Sequence, residues 1–124
     1  MLRQSTRPIV LVVEDEALIR LGTVVMVKEA GFDVIEAANA DQAIEILESH
    51  DDIRVVFTDI NMPGSMDGLK LAAAVRDRWP PIEIIVTTGR GISDIDVLPE
   101  RARFLVKPYT ALQIEQALTT LTAT

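Results

Sequence analysis

Five short apolar runs, each followed by a stretch of different periodicity, constrain this chain more than any other feature. The runs are 9–13, 33–37, 55–58, 82–86 and 104–106. Their length and β-branched content suit strands buried on both faces, the kind that parallel sheets use. After the first run, 17–30 is expected as a helix closed by Gly31, since glycine tolerates the left-handed conformation common just past a helix. Asn39 with Gln42 has the form of a capping box, and Ala40, Ala43, Ile44 and Leu47 then recur at helical spacing. Gly68, Leu71, Ala72, Val75 and Trp79 repeat that spacing until Pro80 and Pro81 stop the helix. Segment 89–103 holds Gly89, Gly91 and Pro99 with weak periodicity, so a short or irregular helix is expected there. Thr110 with Gln113 forms another capping box, and Ile114, Ala117, Leu118 and Leu121 supply a last buried face.

Strict alternation of strand and helix implies right-handed crossovers and helices on both faces of one sheet. The expected fold class is α/β: a doubly wound five-stranded parallel sheet of order 2-1-3-4-5, flavodoxin-like, in three α/β/α layers. A chain of 124 residues is one domain, with its core at about 8–122 and no linker or internal repeat to divide it.

The formal charge of −7 argues against direct contact with nucleic acid, whose phosphates demand a basic surface. No apolar run approaches the length of a membrane span, and Glu14, Asp15 and Glu16 interrupt the first one before it could serve as a signal sequence. The absence of cysteine excludes disulfides and thiolate metal sites and fits a reducing compartment, so a cytoplasmic location is expected.

In a parallel sheet all strand ends point one way, and sites lie beyond the carboxyl ends, at the point where strand order reverses. Glu14 and Asp15 follow the first run, Asp59 the third, Thr87 the fourth and Lys107 the fifth. Three carboxylates, a hydroxyl and an ammonium are thus expected on one rim. Carboxylates held together repel, so keeping them ionised calls for a cation. The outline is that of a magnesium-dependent phosphoryl site.

The segments LVVEDE, FTDINMPG, IIVTTG and FLVKPY, in this order and at this spacing, resemble the receiver domain of two-component response regulators (CheY-like) over about 9–121. The resemblance implies that Asp59 accepts a phosphoryl group from a histidine of a kinase or phosphotransfer protein. It implies a Mg²⁺ ion held by Asp15, Asp59 and the main-chain carbonyl of Asn61, with Glu14 supporting it through a bound water. Thr87 and Lys107 would contact the phosphoryl oxygens, and Thr87 with Phe104 would form the switch. Such a chain is not an enzyme with a separate substrate; it catalyses only its own phosphorylation and dephosphorylation. Since one helix's worth of sequence follows Pro108, a stand-alone receiver without an output domain is expected, acting through protein contacts or onward relay.

Some positions depart from the pattern. Thr88 stands where a small residue is usual, Ser65 looks like an insertion, and the stretch between Thr87 and Lys107 is short. Leu18, Ile19, Leu21, Val24, Val25, Met26 and Val27 make the first helix apolar around its circumference, a surface suited to a kinase's helical bundle or to a second receiver in a homodimer. Tyr109 is a second residue that could face partners. His50, the only histidine, suits a helix C-terminus rather than phosphotransfer, and Gly89-Arg90-Gly91 lacks the context of a dinucleotide fingerprint. The rival reading is a non-phosphorylated interaction module of the same fold. A phosphohydrolase of another α/β family is opposed by the missing Asp-x-Asp pair.

Overall fold

The computed structural model describes residues 7–62, 66–89 and 101–123. Strands β1 (Ile9–Val13), β2 (Asp33–Ala37), β3 (Ile53–Asp59), β4 (Glu83–Thr88) and β5 (Ala102–Val106) form one parallel sheet in the order β2-β1-β3-β4-β5, as expected. Helices α1 (Ala17–Glu29), α2 (Ala40–Ser49), α3 (Gly68–Arg78) and α4 (Ala111–Thr122) lie between and after them. Most of the segment expected as an irregular helix before β5, and Ser65, lie outside the described residues.

Two apolar layers flank the sheet, and alternation along β1 shows how one strand serves both. Val10 and Val12 pack with Val24 and Val27 of α1 and Ile114 and Leu118 of α4. Leu11 and Val13 pack with Ala43 and Leu47 of α2 and Leu71 and Val75 of α3. Burial of a Leu or Ile side chain stabilises by about 1.5–3 kcal/mol, so these two layers supply the framework that holds the rim.

Helix ends follow their sequence signals. Gly31 adopts φ +100°, just past the α1 C-cap Ala30. Asn39 Oδ1 accepts the Gln42 N–H at 2.8 Å, while Gln42 Oε1 accepts from Ala38 N rather than from the cap residue's own N–H. The Thr110–Gln113 capping box is complete in both directions.

Three strand boundaries differ from the sequence reading. β3 starts at Ile53 rather than Val55: Ile53 pairs with Ile9, exposed Arg54 is passed over in a register shift, and the ladder with β1 resumes at Val55 opposite Val10. β4 is displaced toward its C-terminus: the Ile82 N–H is still bonded to Trp79 O, and Thr87 and Thr88, both β-branched, extend the ladder. β5 begins at Ala102, two residues earlier than its apolar run.

Candidate functional site

Glu14 and Asp15 emerge at the turn between β1 and α1. The Glu14 N–H donates to Ala37 O at 3.1 Å, which carries the β1–β2 ladder one residue past the strand. Asp59 is the last residue of β3 and pairs with Thr87 of β4. The Ile60 N–H donates to Thr87 O at 2.8 Å and the Lys107 N–H to Thr88 O at 2.8 Å, so main-chain bonds continue beyond the strands and fix where Asp59 and Lys107 leave the sheet. The Lys107–Pro108 peptide is cis.

These elements bring Glu14, Asp15, Asp59 and Lys107 together. One carboxylate oxygen from each of the three acids lies within 4.8 Å of the others. Lys107 Nζ is 3.2 Å from Asp59 Oδ2 and 3.3 Å from Glu14 Oε1. Glu14 Oε2 accepts the Glu16 N–H at 3.1 Å, so both Glu14 oxygens are engaged by the chain itself. Asp59 differs: its Oδ1 is buried and has no protein hydrogen-bond partner. A buried carboxylate oxygen left bare costs free energy, and a hard cation shared with Asp15 would satisfy it. The donor set, all oxygen and net negative, fits Mg²⁺, which needs few protein ligands because it keeps several waters.

The electrostatics of the rim are dominated by burial and by this shared ammonium. Burial raises the Glu14 carboxyl above its ordinary value, outweighing the Glu16 N–H and the attraction of Lys107, and the neighbouring Asp59 charge pushes the same way. For Lys107 burial works to lower the pKa, but Asp59 and Glu14 together overcome it and the net direction is upward. Lys107 therefore stays charged, offsetting one of the converging carboxylates.

The remaining residues of interest fall around this centre. Thr87 and Thr88 are both buried at the end of β4. Asn61, two residues beyond Asp59, is exposed, and its Nδ2 lies 3.4 Å from Thr88 Oγ1, so the Thr88 hydroxyl has a polar role besides its bulk. Phe104 is partly buried and packs on the layer that faces α2 and α3. Tyr109 lines the groove beside α1 and is held there from two sides. Its ring meets Phe57 edge-on at 5.6 Å and its hydroxyl lies 2.7 Å from Thr23 Oγ1, on the side of the sheet that α1 and α4 cover. His50 is the C-cap of α2, with Nδ1 3.0 Å from Ile46 O, as its position near a helix end suggested.

Two site-shaping residues escape the sequence reading. Gly68 at the start of α3 looks like one more member of a helical stripe, yet a Cβ there would lie 1.9 Å from the Asp59 carbonyl oxygen and 2.8 Å from Ile60 Cα. Its N–H donates to Ile60 O at 3.0 Å. With Asp67 already capping the helix through Lys70 N, a glycine next in line is a sign of close backbone approach rather than of the turn itself. Arg20 looks like a solvated helix residue, yet its Nη1 donates to Glu14 O at 2.7 Å and its Nε to Glu36 Oε1 at 3.0 Å.

Among solved structures, a response regulator receiver protein from Sinorhizobium medicae superposes with a TM-score of 0.87 at 28% identity, covering 94% of each chain. The response regulator TrrA from Thermotoga maritima, solved with Mg²⁺ and BeF, gives 0.81 at 25% identity over 92% of this chain and 98% of that one. Among curated proteins, the transcriptional regulatory protein PdtaR of Mycobacterium tuberculosis is 35% identical over 117 residues, 88% of this chain and 54% of its own length. The sensor kinase CckA of Brucella abortus is 36% identical over 109 residues, 85% of this chain but 11% of the kinase. The chain thus spans about half or less of these curated relatives, whose remaining parts and whole-protein activities are their own. The profile of the response regulator receiver domain matches residues 10–119, from the first strand to the last helix, and the chain belongs to that family.

Proposed function

We propose that this receiver takes a phosphoryl group onto Asp59 from the phosphohistidine of a kinase or phosphotransfer protein, with Mg²⁺ bound at the rim, and passes the signal on through protein contacts or onward transfer. The observation that carries the reading is the state of the Asp59 carboxylate: one oxygen beside the Lys107 ammonium, the other buried and bare, with two further carboxylates at hand. An Asp59 oxygen attacks phosphorus, the P–N bond breaks, and its electron pair returns to the donor imidazole. The product is an acyl phosphate, labile enough to reset when water attacks the phosphorus and releases inorganic phosphate. Asp15, Asp59 and the main-chain carbonyl of Asn61 would hold the ion, with Glu14 at one remove. Bound there, Mg²⁺ neutralises charge on the phosphoryl oxygens.

Lys107 is placed to follow that charge, as a point cation on a flexible stem rather than a rigid fork. Thr87, directly beside Asp59 in the sheet, offers its hydroxyl to a phosphoryl oxygen. Movement of Thr87 would open space for Phe104 to reposition, coupling the site to the β4–β5 side. The donor's docking face is the exposed side of α1: Leu18 is 85% and Leu21 58% exposed, and a groove of about 480 Å³ runs from Leu18 and Ile19 to Lys107 and Pro108. Because Lys107 belongs both to that groove and to the acidic rim, a helix seated there reaches the reacting atoms.

The test is phosphotransfer from a panel of autophosphorylated histidine kinases, with acetyl phosphate as the small-molecule donor and intact mass as the readout. One added phosphoryl group that requires Mg²⁺ and disappears in Asp59→Asn is expected. No transfer above the Asp59→Asn level from any donor would leave the chain an interaction module of receiver fold.

A further inference from the structure

Arg20 is in the wrong place for a helix and the right place for the site. It occupies the first turn of α1, four residues after the N-cap Glu16, where the helix dipole disfavours a cation. That turn has no acidic residue, and Glu16 makes no side-chain cap bond. The side chain is nonetheless only 20% exposed. It folds back past the helix end, with Nη1 donating to the Glu14 carbonyl at 2.7 Å and Nε to Glu36 Oε1 at 3.0 Å.

The Glu14 carbonyl belongs to the peptide that joins Glu14 to Asp15. Arg20 holds that peptide, and the preceding one, which carries the Glu14 N–H, is fixed from β2 by Ala37 O at 3.1 Å. Without the guanidinium the Glu14 carbonyl loses a charged donor, and a change in ψ of Glu14 that φ of Asp15 does not compensate swings the Asp15 carboxylate away from Asp59. Small misplacements of this kind are costly where several ligands must converge.

We infer that Arg20, anchored by Glu36 at the end of β2, is a positioning residue for the metal site: it fixes the Glu14–Asp15 peptide so that Asp15 faces Asp59. The inference rests on the Mg²⁺ reading given above. It makes a prediction opposite in sign to that of simple electrostatics. A cation near a cation site repels the ion, so if Arg20 acted through charge alone its removal would tighten Mg²⁺ binding. If it acts by orientation, its removal weakens binding in the manner of other residues that hold a metal ligand, by about tenfold.

The experiment is Mg²⁺ titration of the unaltered chain, R20M, R20K and E36Q by calorimetry, with amide NMR shifts reporting the site and thermal melts run alongside. Expected are an affinity about tenfold weaker in R20M, intermediate weakening in R20K, which keeps the charge but loses the two-pronged donor, and a smaller loss in E36Q. Equal or tighter Mg²⁺ binding in folded R20M overturns the inference. Should R20M fail to fold, R20K decides the matter, since an unchanged affinity there overturns it equally. An unaltered chain that shows no saturable Mg²⁺ binding would instead bring down the metal-site reading, and this inference with it.

Discussion

The Lys107 ammonium sits 3.2 Å from Asp59 Oδ2 although its strand, β5, is two places away from β3 in the sheet. β4 lies between them, and the reach is set by the backbone bond from Lys107 N–H to Thr88 O. The same ammonium is 3.3 Å from Glu14 Oε1, so one cation serves two buried carboxylates. Lys107→Met should therefore leave Asp59 without its cation and Glu14 with only the Glu16 N–H. Losing one partner of a fully buried pair costs about 3–5 kcal/mol; with the Lys107 side chain 22% exposed, about 2 kcal/mol is expected. Urea denaturation in Mg²⁺-free buffer measures it, and an unchanged midpoint would show that the pairing contributes nothing.

Converging carboxylates with a single lysine between them leave the rim net negative, which makes the fold itself a reporter of cation binding. Mg²⁺ at a hundred times its dissociation constant should stabilise the native state by about 2.7 kcal/mol. The rise in melting temperature should reverse with EDTA and shrink strongly in Asp15→Asn. An equal rise in Asp15→Asn would place the ion elsewhere.

Burial raises the Glu14 carboxyl above its ordinary 4.5. A raised folded value means that the native state holds the proton more tightly than the unfolded chain. The associated stability is fully present below pH 4.5 and is lost as pH rises through the folded value. In Mg²⁺-free buffer, the unaltered protein should lose stability relative to Glu14→Gln as pH climbs from 4.5 toward neutral, after which the two should run parallel. Lys107 and Tyr109 are also raised, from 10.5 and 10.0, Tyr109 chiefly by burial. Their contributions persist below those values and vanish at higher pH, so Lys107→Met and Tyr109→Phe should each flatten the alkaline limb of the stability curve. Curves that superimpose on the unaltered protein throughout would contradict both assignments.

The sequence carried the sheet order and the four charged members of the rim because these depend on signals local to each strand end. Five apolar runs alternate with helices, and a chemically distinctive residue follows each of four runs, so Glu14, Asp15, Asp59 and Lys107 could be placed without any distance being known. Boundaries were less legible where propensity and pairing disagree: Arg54 interrupts both the apolar run and the register, yet the strand continues past it to Ile53, and Thr88 reads as a departure although it pairs with Val106. Least legible were the residues that act through space on someone else's backbone. Nothing near Arg20 or Gly68 in the chain announces that one grips the Glu14 carbonyl and the other clears room for the Asp59 carbonyl. The contacts of Tyr109 with Phe57 and Thr23, which hold it beside the α1 groove, are likewise with residues distant in sequence.

Two glycines make a paired test of that last point. Gly22 lies in the interior of α1 with no atom within 4 Å of a built Cβ, whereas at Gly68 the Cβ would overlap the Asp59 carbonyl at 1.9 Å. Gly22→Ala removes backbone freedom from the unfolded chain at no steric cost and should stabilise by about 0.5–1 kcal/mol. Gly68→Ala forces α3 away from the end of β3 and should destabilise by about 1–3 kcal/mol, the range for overpacking. The functional consequences should diverge as well. Gly22 lines the α1 groove, so its alanine should slow transfer from a phosphorylated kinase while leaving acetyl phosphate labelling intact. Gly68→Ala moves the acceptor itself and should slow both. Chemical denaturation and labelling by the two donors resolve the four outcomes, and a Gly68→Ala protein as stable and as readily phosphorylated as the parent would mean that the Asp59 backbone yields freely to α3.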